Sequence, residues 1–177
     1  MIQRRLRTLC IHLSISFVAF TGILLCLEKA FYYLNNTRSN ITYGGRYNNG
    51  FFLKDTLLGY KPKPNIKTSS VKKYGEQTLY SVAYSIGEDG YRITPGRNEE
   101  RNKFILFFGC SFTFGEGVND NETMPYFVSS VASTHQVYNF GFCGYGPQQM
   151  LAKLTDDKIL QEVKEKSGVL VYTGDVS

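Results

Sequence analysis

The chain of 177 residues contains no tryptophan, only two histidines and four cysteines, and little spare charge. Each shortage excludes something. Two histidines and scattered cysteines at Cys10, Cys26, Cys110 and Cys143 give no metal-ligand spacing, so neither a metal nor another cofactor is implied. The net charge is +5, but Arg4, Arg5, Arg7 and Lys29 against Glu28 account for +3 of it, leaving +2 for everything else. That is too little to indicate a nucleic-acid partner. With the apolar N-terminal segment set aside, the remaining length suits one ordinary domain.

What the N-terminus does have is an uncharged run of nineteen residues from Leu9 to Leu27, LCIHLSISFVAFTGILLCL, preceded by the three arginines. At the helical rise this length just crosses the hydrocarbon layer. The arginines keep the N-terminus cytoplasmic, so the chain beyond residue 30 is expected on the far side of a cell membrane, as a single-pass protein with a periplasmic domain. Tyr32, Tyr33, Tyr43 and Tyr47 crowd the following region as interface belts do. A cleaved signal peptide is the other reading of the run. No small-x-small site follows it, however, and Leu25 before Cys26 spoils a lipoprotein-type site.

The text NNTRSNITYGGRYNNG that follows is rich in Asn, Gly and Ser and reads as a tether. Next come KDTLLGYKPKPN, kept extended by Pro62 and Pro64, and TLYSVAYSIGEDGYRI, whose alternation and Gly87–Gly90 turn predict a strand, a turn and a short strand. The remainder alternates in type. Phe104–Phe108 is a short apolar run, Thr123–Thr134 is helical with Pro125 in its first turn, and Val137–Phe140 is a second strand. Pro147 opens another helical stretch with Met150, Leu151, Leu154, Leu160 and Val163 at helical spacing, and Val169–Tyr172 is a third strand. Strands separated by helices pair in parallel through right-handed crossovers, which predicts an α/β sandwich. The expected organisation is a cytoplasmic tip and anchor at 1–30, a tether at 31–50, a β-rich lead-in at 51–98 and an α/β domain at 99–177.

Gly109-Cys110-Ser111-Phe112 follows the first apolar strand at once, placing a serine at the carboxyl end of a strand, where α/β sheets bind ligands. Glycine before the serine permits a sharp turn, and a following helix aims its amides at a developing anion. Gly141, Gly144 and Gly146 follow the second strand, where a backbone has to approach a substrate closely. As bare patterns these are also compatible with plain strand-to-loop turns.

The longer strings FILFFGCSFTFGEGVNDNETMPYFV and VYNFGFCGYGPQQML together resemble the first two blocks of the SGNH/GDSL hydrolase family. They are most similar to its bacterial membrane-anchored members, in which G-[DC]-S-F-T-F-G precedes an N-x-G-x-x-G-x-G turn. LGYKPKPN and EDGYRIT also look like the segments leading into the hydrolase domain of such proteins. The resemblance implies a partial, flavodoxin-like three-layer α/β sandwich with a parallel sheet, preceded by a small β ribbon and the transmembrane helix. It implies Ser111 as nucleophile, with the amides of Ser111 and Gly144 as oxyanion donors. The implied activity is a serine esterase acting on ester-linked groups of envelope carbohydrate or lipid.

Three departures stand against that. Cys110 occupies the position of the family's aspartate, which is not its triad acid. Gly174-Asp175 stands where the family's third block has an oxyanion asparagine. No residues after Ser177 carry the family's final Asp-x-x-His block, and His135, at the end of the helix before the second strand, is a poor candidate base. The alternative is therefore a catalytically silent remnant or a membrane-tethered binding protein, with an exposed sheet edge and marginal stability. Cys110 and Cys143, just past adjacent strands, allow either a disulfide in an oxidising compartment or two free thiols.

The topology has a direct check. Alkaline phosphatase fused after Ser177 is expected to be active in a bacterial host, and changing Arg4, Arg5 and Arg7 to glutamate is expected to reduce that activity severalfold. Activity of a β-galactosidase fusion at the same point, with a silent phosphatase, contradicts the orientation.

Overall fold

The computed structural model describes residues 2–36, 40–45, 50–96, 98, 100–156 and 162–174. The chain divides into two compact units, Met1–Thr42 and Tyr43–Ser177.

The first unit is dominated by α1 (Ile2–Asn36). Its stretch Ile11–Asn35 is, among the described residues, the one helix long and apolar enough to cross a membrane. Its large side chains are exposed: Phe17, Val18 and Phe31 leave about two thirds or more of their surface uncovered, as a lipid-facing helix does. The Thr21 hydroxyl donates to the Phe17 carbonyl at 2.8 Å, which is how an isolated helix satisfies a hydroxyl without water. The helix continues past the expected anchor boundary at residue 30 to Asn36.

β1 (Ile41–Gly45), which begins at the end of the first unit and has its last three residues in the second, is a strand inside the segment expected to be a tether, and it is a neighbour of β4 in the sheet order. The β-branched and aromatic residues Ile41, Thr42 and Tyr43 outweigh the surrounding asparagines. β2 (Phe52–Asp55) and β3 (Gly59–Pro62) form a hairpin. Its turn is closed by the Asp55 carboxylate, which accepts from the Leu57 and Leu58 amides at 3.0 and 2.9 Å. β4 (Ile66–Tyr74) and β5 (Gln77–Ile86) form a longer antiparallel hairpin turned at Gly75, giving a sheet of order β1-β4-β5.

The remaining strands, β6 (Lys103–Gly109), β7 (His135–Asn139) and β8 (Gly168–Thr173), form a parallel sheet of order β7-β6-β8. The expected mixed α/β architecture with a parallel three-stranded sheet is present. Each strand lies within two residues of its sequence-predicted run. α2 (Ser111–Phe114) and α3 (Met124–Val131) occupy the β6–β7 crossover, and α4 (Pro147–Leu154) the β7–β8 crossover. Pro125 and Pro147 sit in the first turns of α3 and α4, where a missing N–H costs nothing.

Two buried clusters hold this unit. Tyr91, Leu106, Phe108, Tyr138, Phe140 and Val163 pack with Met150 and Leu154 of α4. Phe51, Leu58, Tyr84, Ile86, Phe114, Phe142 and Tyr145 join the lead-in strands to the ends of the parallel sheet. Tyr84, Phe51, Phe114 and Phe142 are almost completely buried, with ring centroids of neighbouring pairs 5.1–6.4 Å apart. Among the described residues no strand pairs with the outer edge of β8. On β8, Val169 and Leu170 are 52% and 46% exposed, and a groove of about 700 Å³ runs beside them over Phe104, Leu106 and Leu154.

Because the second cluster draws on both the lead-in and the parallel sheet, Phe142→Ala is expected to destabilise both together, by about 3–5 kcal/mol. Urea denaturation followed by far-UV dichroism and by tyrosine fluorescence checks this. Two separated transitions, with only one shifted, would contradict a shared core.

Candidate functional site

β6 is first in the chain among the parallel strands and central in their order. The chain leaves it for β7 on one side, then crosses back to β8 on the other. The carboxyl end of β6 is therefore the point where the two crossovers diverge, the place where open α/β sheets bind ligands. Ser111 is the first residue of α2, immediately beyond that end. It is partly exposed, and its neighbour Phe112 is 78% exposed.

Two glycines make this turn possible. Gly109 has φ +150°, and a side chain there would overlap the Thr173 carbonyl and the Thr113 hydroxyl, so β6 and β8 close on each other only over a bare Cα. Gly141, after β7, abuts Thr113 and the Phe114 amide so closely that a Cβ would fall 2.9 Å from that nitrogen. The β7 ladder continues past the strand, with Phe140 donating to Phe107 at 2.8 Å and Phe142 to Gly109 at 3.0 Å. The serine bend and the glycine-rich bend of its neighbour are thus packed together.

Asn139 fastens them further. Its amide donates to the Thr113 carbonyl at 3.0 Å and its carbonyl accepts from Gly141 at 3.1 Å, all buried. Thr113 and Thr173 share a hydroxyl–hydroxyl hydrogen bond that ties α2 to the end of β8. Cys143 lies 3.6 Å from a Glu116 carboxylate oxygen, and Glu116 returns its amide to the Ser111 carbonyl at 2.9 Å. Gly144 is exposed at the outer side of this cluster with φ +78°, against the Tyr60 hydroxyl. Tyr60 donates to the Cys143 carbonyl at 2.7 Å. Burial first, and the neighbouring Cys143 second, push the Tyr60 phenol above its ordinary pKa, so it stays a neutral donor. Cys110 and Cys143 are both half-buried and are not joined in a disulfide.

One residue here was not singled out by the sequence. Arg92, 3% exposed, donates through Nε to Asp120 at 3.0 Å, through Nη1 to the Phe114 and Gly115 carbonyls at 2.7 and 2.6 Å, and through Nη2 to Val118 at 2.8 Å. Its guanidinium lies 4.5 Å from the Tyr84 ring centroid and 4.9 Å from that of Phe114. Burial lowers its pKa, while the Asp120 carboxylate works in the opposite direction. Asn119 and Asp120 also accept from the edge amides of β5, Ala83 at 3.1 Å and Ser85 at 3.2 Å.

His135 is at the other end of the sheet. It pairs with Lys103 at the start of β6, six residues of strand, or about 20 Å, from Gly109, and its Nδ1 contacts Thr134 at 2.9 Å. Among the described residues none hydrogen-bonds the Ser111 hydroxyl. Asp175, singled out in the sequence, lies outside the described residues, while Gly174 is exposed just past β8. Chemically, the cluster offers a partly exposed hydroxyl to which no described residue hydrogen-bonds, beside a glycine-rich bend whose Gly141, Phe142, Tyr145 and Gly146 amides are already bonded within the protein. No family model matches the chain, and no curated protein matches it significantly.

Gly109→Ala is expected to cost at least about 2 kcal/mol, from backbone strain together with the overlap with Thr173. Ser111→Ala, removing a hydroxyl without a protein partner, should change stability by no more than about 0.5 kcal/mol. Thermal melts of the two variants decide this, and a neutral Gly109→Ala would contradict the closeness of β6 and β8.

Proposed function

We propose that this chain carries the nucleophile and oxyanion half of an SGNH/GDSL-type serine esterase site on a membrane-anchored domain. Its substrates are ester-linked acyl groups of envelope carbohydrate or lipid. The observation that carries the reading is the position of Ser111 at the divergence point of the parallel sheet, on a short helix whose Thr113 and Phe114 abut Gly141 of the bend after the neighbouring strand. In this reading Ser111 Oγ attacks the ester carbonyl, the hydroxyl proton passes to a base, and the alcohol departs with a proton, leaving an acyl-serine that water hydrolyses. The Ser111 and Gly144 amides hold the oxyanion.

No described residue hydrogen-bonds the Ser111 hydroxyl, and His135 is about 20 Å along the strand. In this reading the base comes from elsewhere in the protein or from a partner chain. The same observation favours a second reading, a domain that retains the site without full chemistry. Oxyanion donors without a base still give about a thousandfold over water, so the two readings differ in rate by several orders of magnitude.

The full chain in detergent, offered p-nitrophenyl acetate and a fluorophosphonate probe, is expected to be phosphonylated at one residue, mapped by mass spectrometry to Ser111 and absent in Ser111→Ala. Labelling that persists in the alanine variant removes Ser111 as nucleophile. Silence of the wild-type chain towards both reagents favours the second reading.

A further inference from the structure

We propose that Arg92 is the positioning residue of Ser111: its guanidinium, reaching in from the lead-in strands, fixes the short helix on which the serine stands. This rests on the esterase reading for its consequence, though not for its geometry.

A helix of four residues closes too few hydrogen bonds to persist unaided. Its last carbonyls are orphans unless something outside the helix satisfies them. Here Phe114, Gly115 and Val118 all present their carbonyls to one buried guanidinium, whose charge also complements the negative end of the helix. Asp120 neutralises that charge from the fourth side, and the rings of Tyr84 and Phe114 cover its faces. The backbone of Arg92 is equally constrained, because it bridges Ile86 of β5 and Asn139 of β7. The serine is thus located relative to the glycine-rich bend by two side chains. Asn139 grips the Thr113 carbonyl from the sheet, and Arg92 grips the following carbonyls from the lead-in.

Lysine cannot imitate this. Its ammonium is a compact charge with three donors, whereas the planar fork reaches three carbonyls and a carboxylate at once. Asp120→Asn, by contrast, retains a side-chain oxygen for Arg92 Nε and the Ser85 amide, and the guanidinium-to-carbonyl bonds are expected to stay in place.

The test uses the full chain in detergent, comparing wild type, Arg92→Lys and Asp120→Asn by hydrogen exchange with mass spectrometry and by the phosphonylation rate of Ser111. In Arg92→Lys, peptides covering Phe114–Val118 should exchange at least tenfold faster, with the β4–β5 hairpin unchanged, and phosphonylation should slow by a comparable factor. Asp120→Asn should stay within about threefold of wild type in both measurements. Wild-type exchange at Phe114–Val118 in Arg92→Lys overturns the proposal, as does acceleration spread evenly over all strands. An Asp120→Asn variant as slow as Arg92→Lys overturns it too, since the ion pair rather than the carbonyl grip would then matter. Absence of Ser111 labelling in the wild type removes the esterase reading alone, and the exchange comparison still decides the grip.

Discussion

The buried guanidinium of Arg92 is the contact on which the arrangement around Ser111 depends. Removing a charge from water is expensive, and it is tolerated here because the group is saturated: three carbonyls, one carboxylate and two aromatic faces surround it. Those partners come from three separate parts of the chain. Tyr84 belongs to β5, Phe114 and Gly115 to the serine helix and its cap, and Val118 and Asp120 to the loop before α3. A single side chain therefore welds the antiparallel lead-in to the crossover of the parallel sheet. The shared aromatic cluster around Phe114 and Phe142 does the same with apolar surface.

The site's shape follows from where side chains are missing as much as from where they are present. Gly109 and Gly141 let β8 and the second bend approach the serine helix to distances that any Cβ would forbid. Packing this close leaves hydrogen bonds as the fasteners, and Asn139 and the Thr113–Thr173 pair supply them. The sheet edges are treated unequally. The outward amides of β5 at Ala83 and Ser85 are occupied by Asn119 and Asp120, whereas β8 presents exposed valine and leucine at an open edge. An open edge of that kind invites pairing with another strand.

The parallel sheet was legible because its strands are short apolar runs punctuated by glycine, and its two longer crossover helices carry Pro125 and Pro147 in their first turns. Ser111 and the glycine bend were legible for the same reason: turn chemistry leaves residue-type signatures. The lead-in was less so. In β4, IKTSSVKKY, the buried positions are Thr68 and Ser70 and much of the remainder is lysine, so the strand carries no apolar alternation to read. β1 was hidden among asparagines and glycines. Arg92 was missed because an arginine between Tyr91 and Ile93 looks like an ordinary solvated residue. The available signal was Asp120 in a glycine-bounded loop, a carboxylate in need of a cation, but pairing across 28 residues of sequence cannot be read from spacing.

In the proposed site the Ser111 and Gly144 amides address one point in space next to the Ser111 hydroxyl. A crystal structure of the full chain after prolonged exposure to a small alkyl fluorophosphonate tests it most directly. The expected result is a phosphonyl group on Ser111 Oγ with one oxygen within about 3 Å of both amide nitrogens. A phosphonyl oxygen turned to solvent, with Gly144 out of reach, or an adduct on another residue, would contradict it.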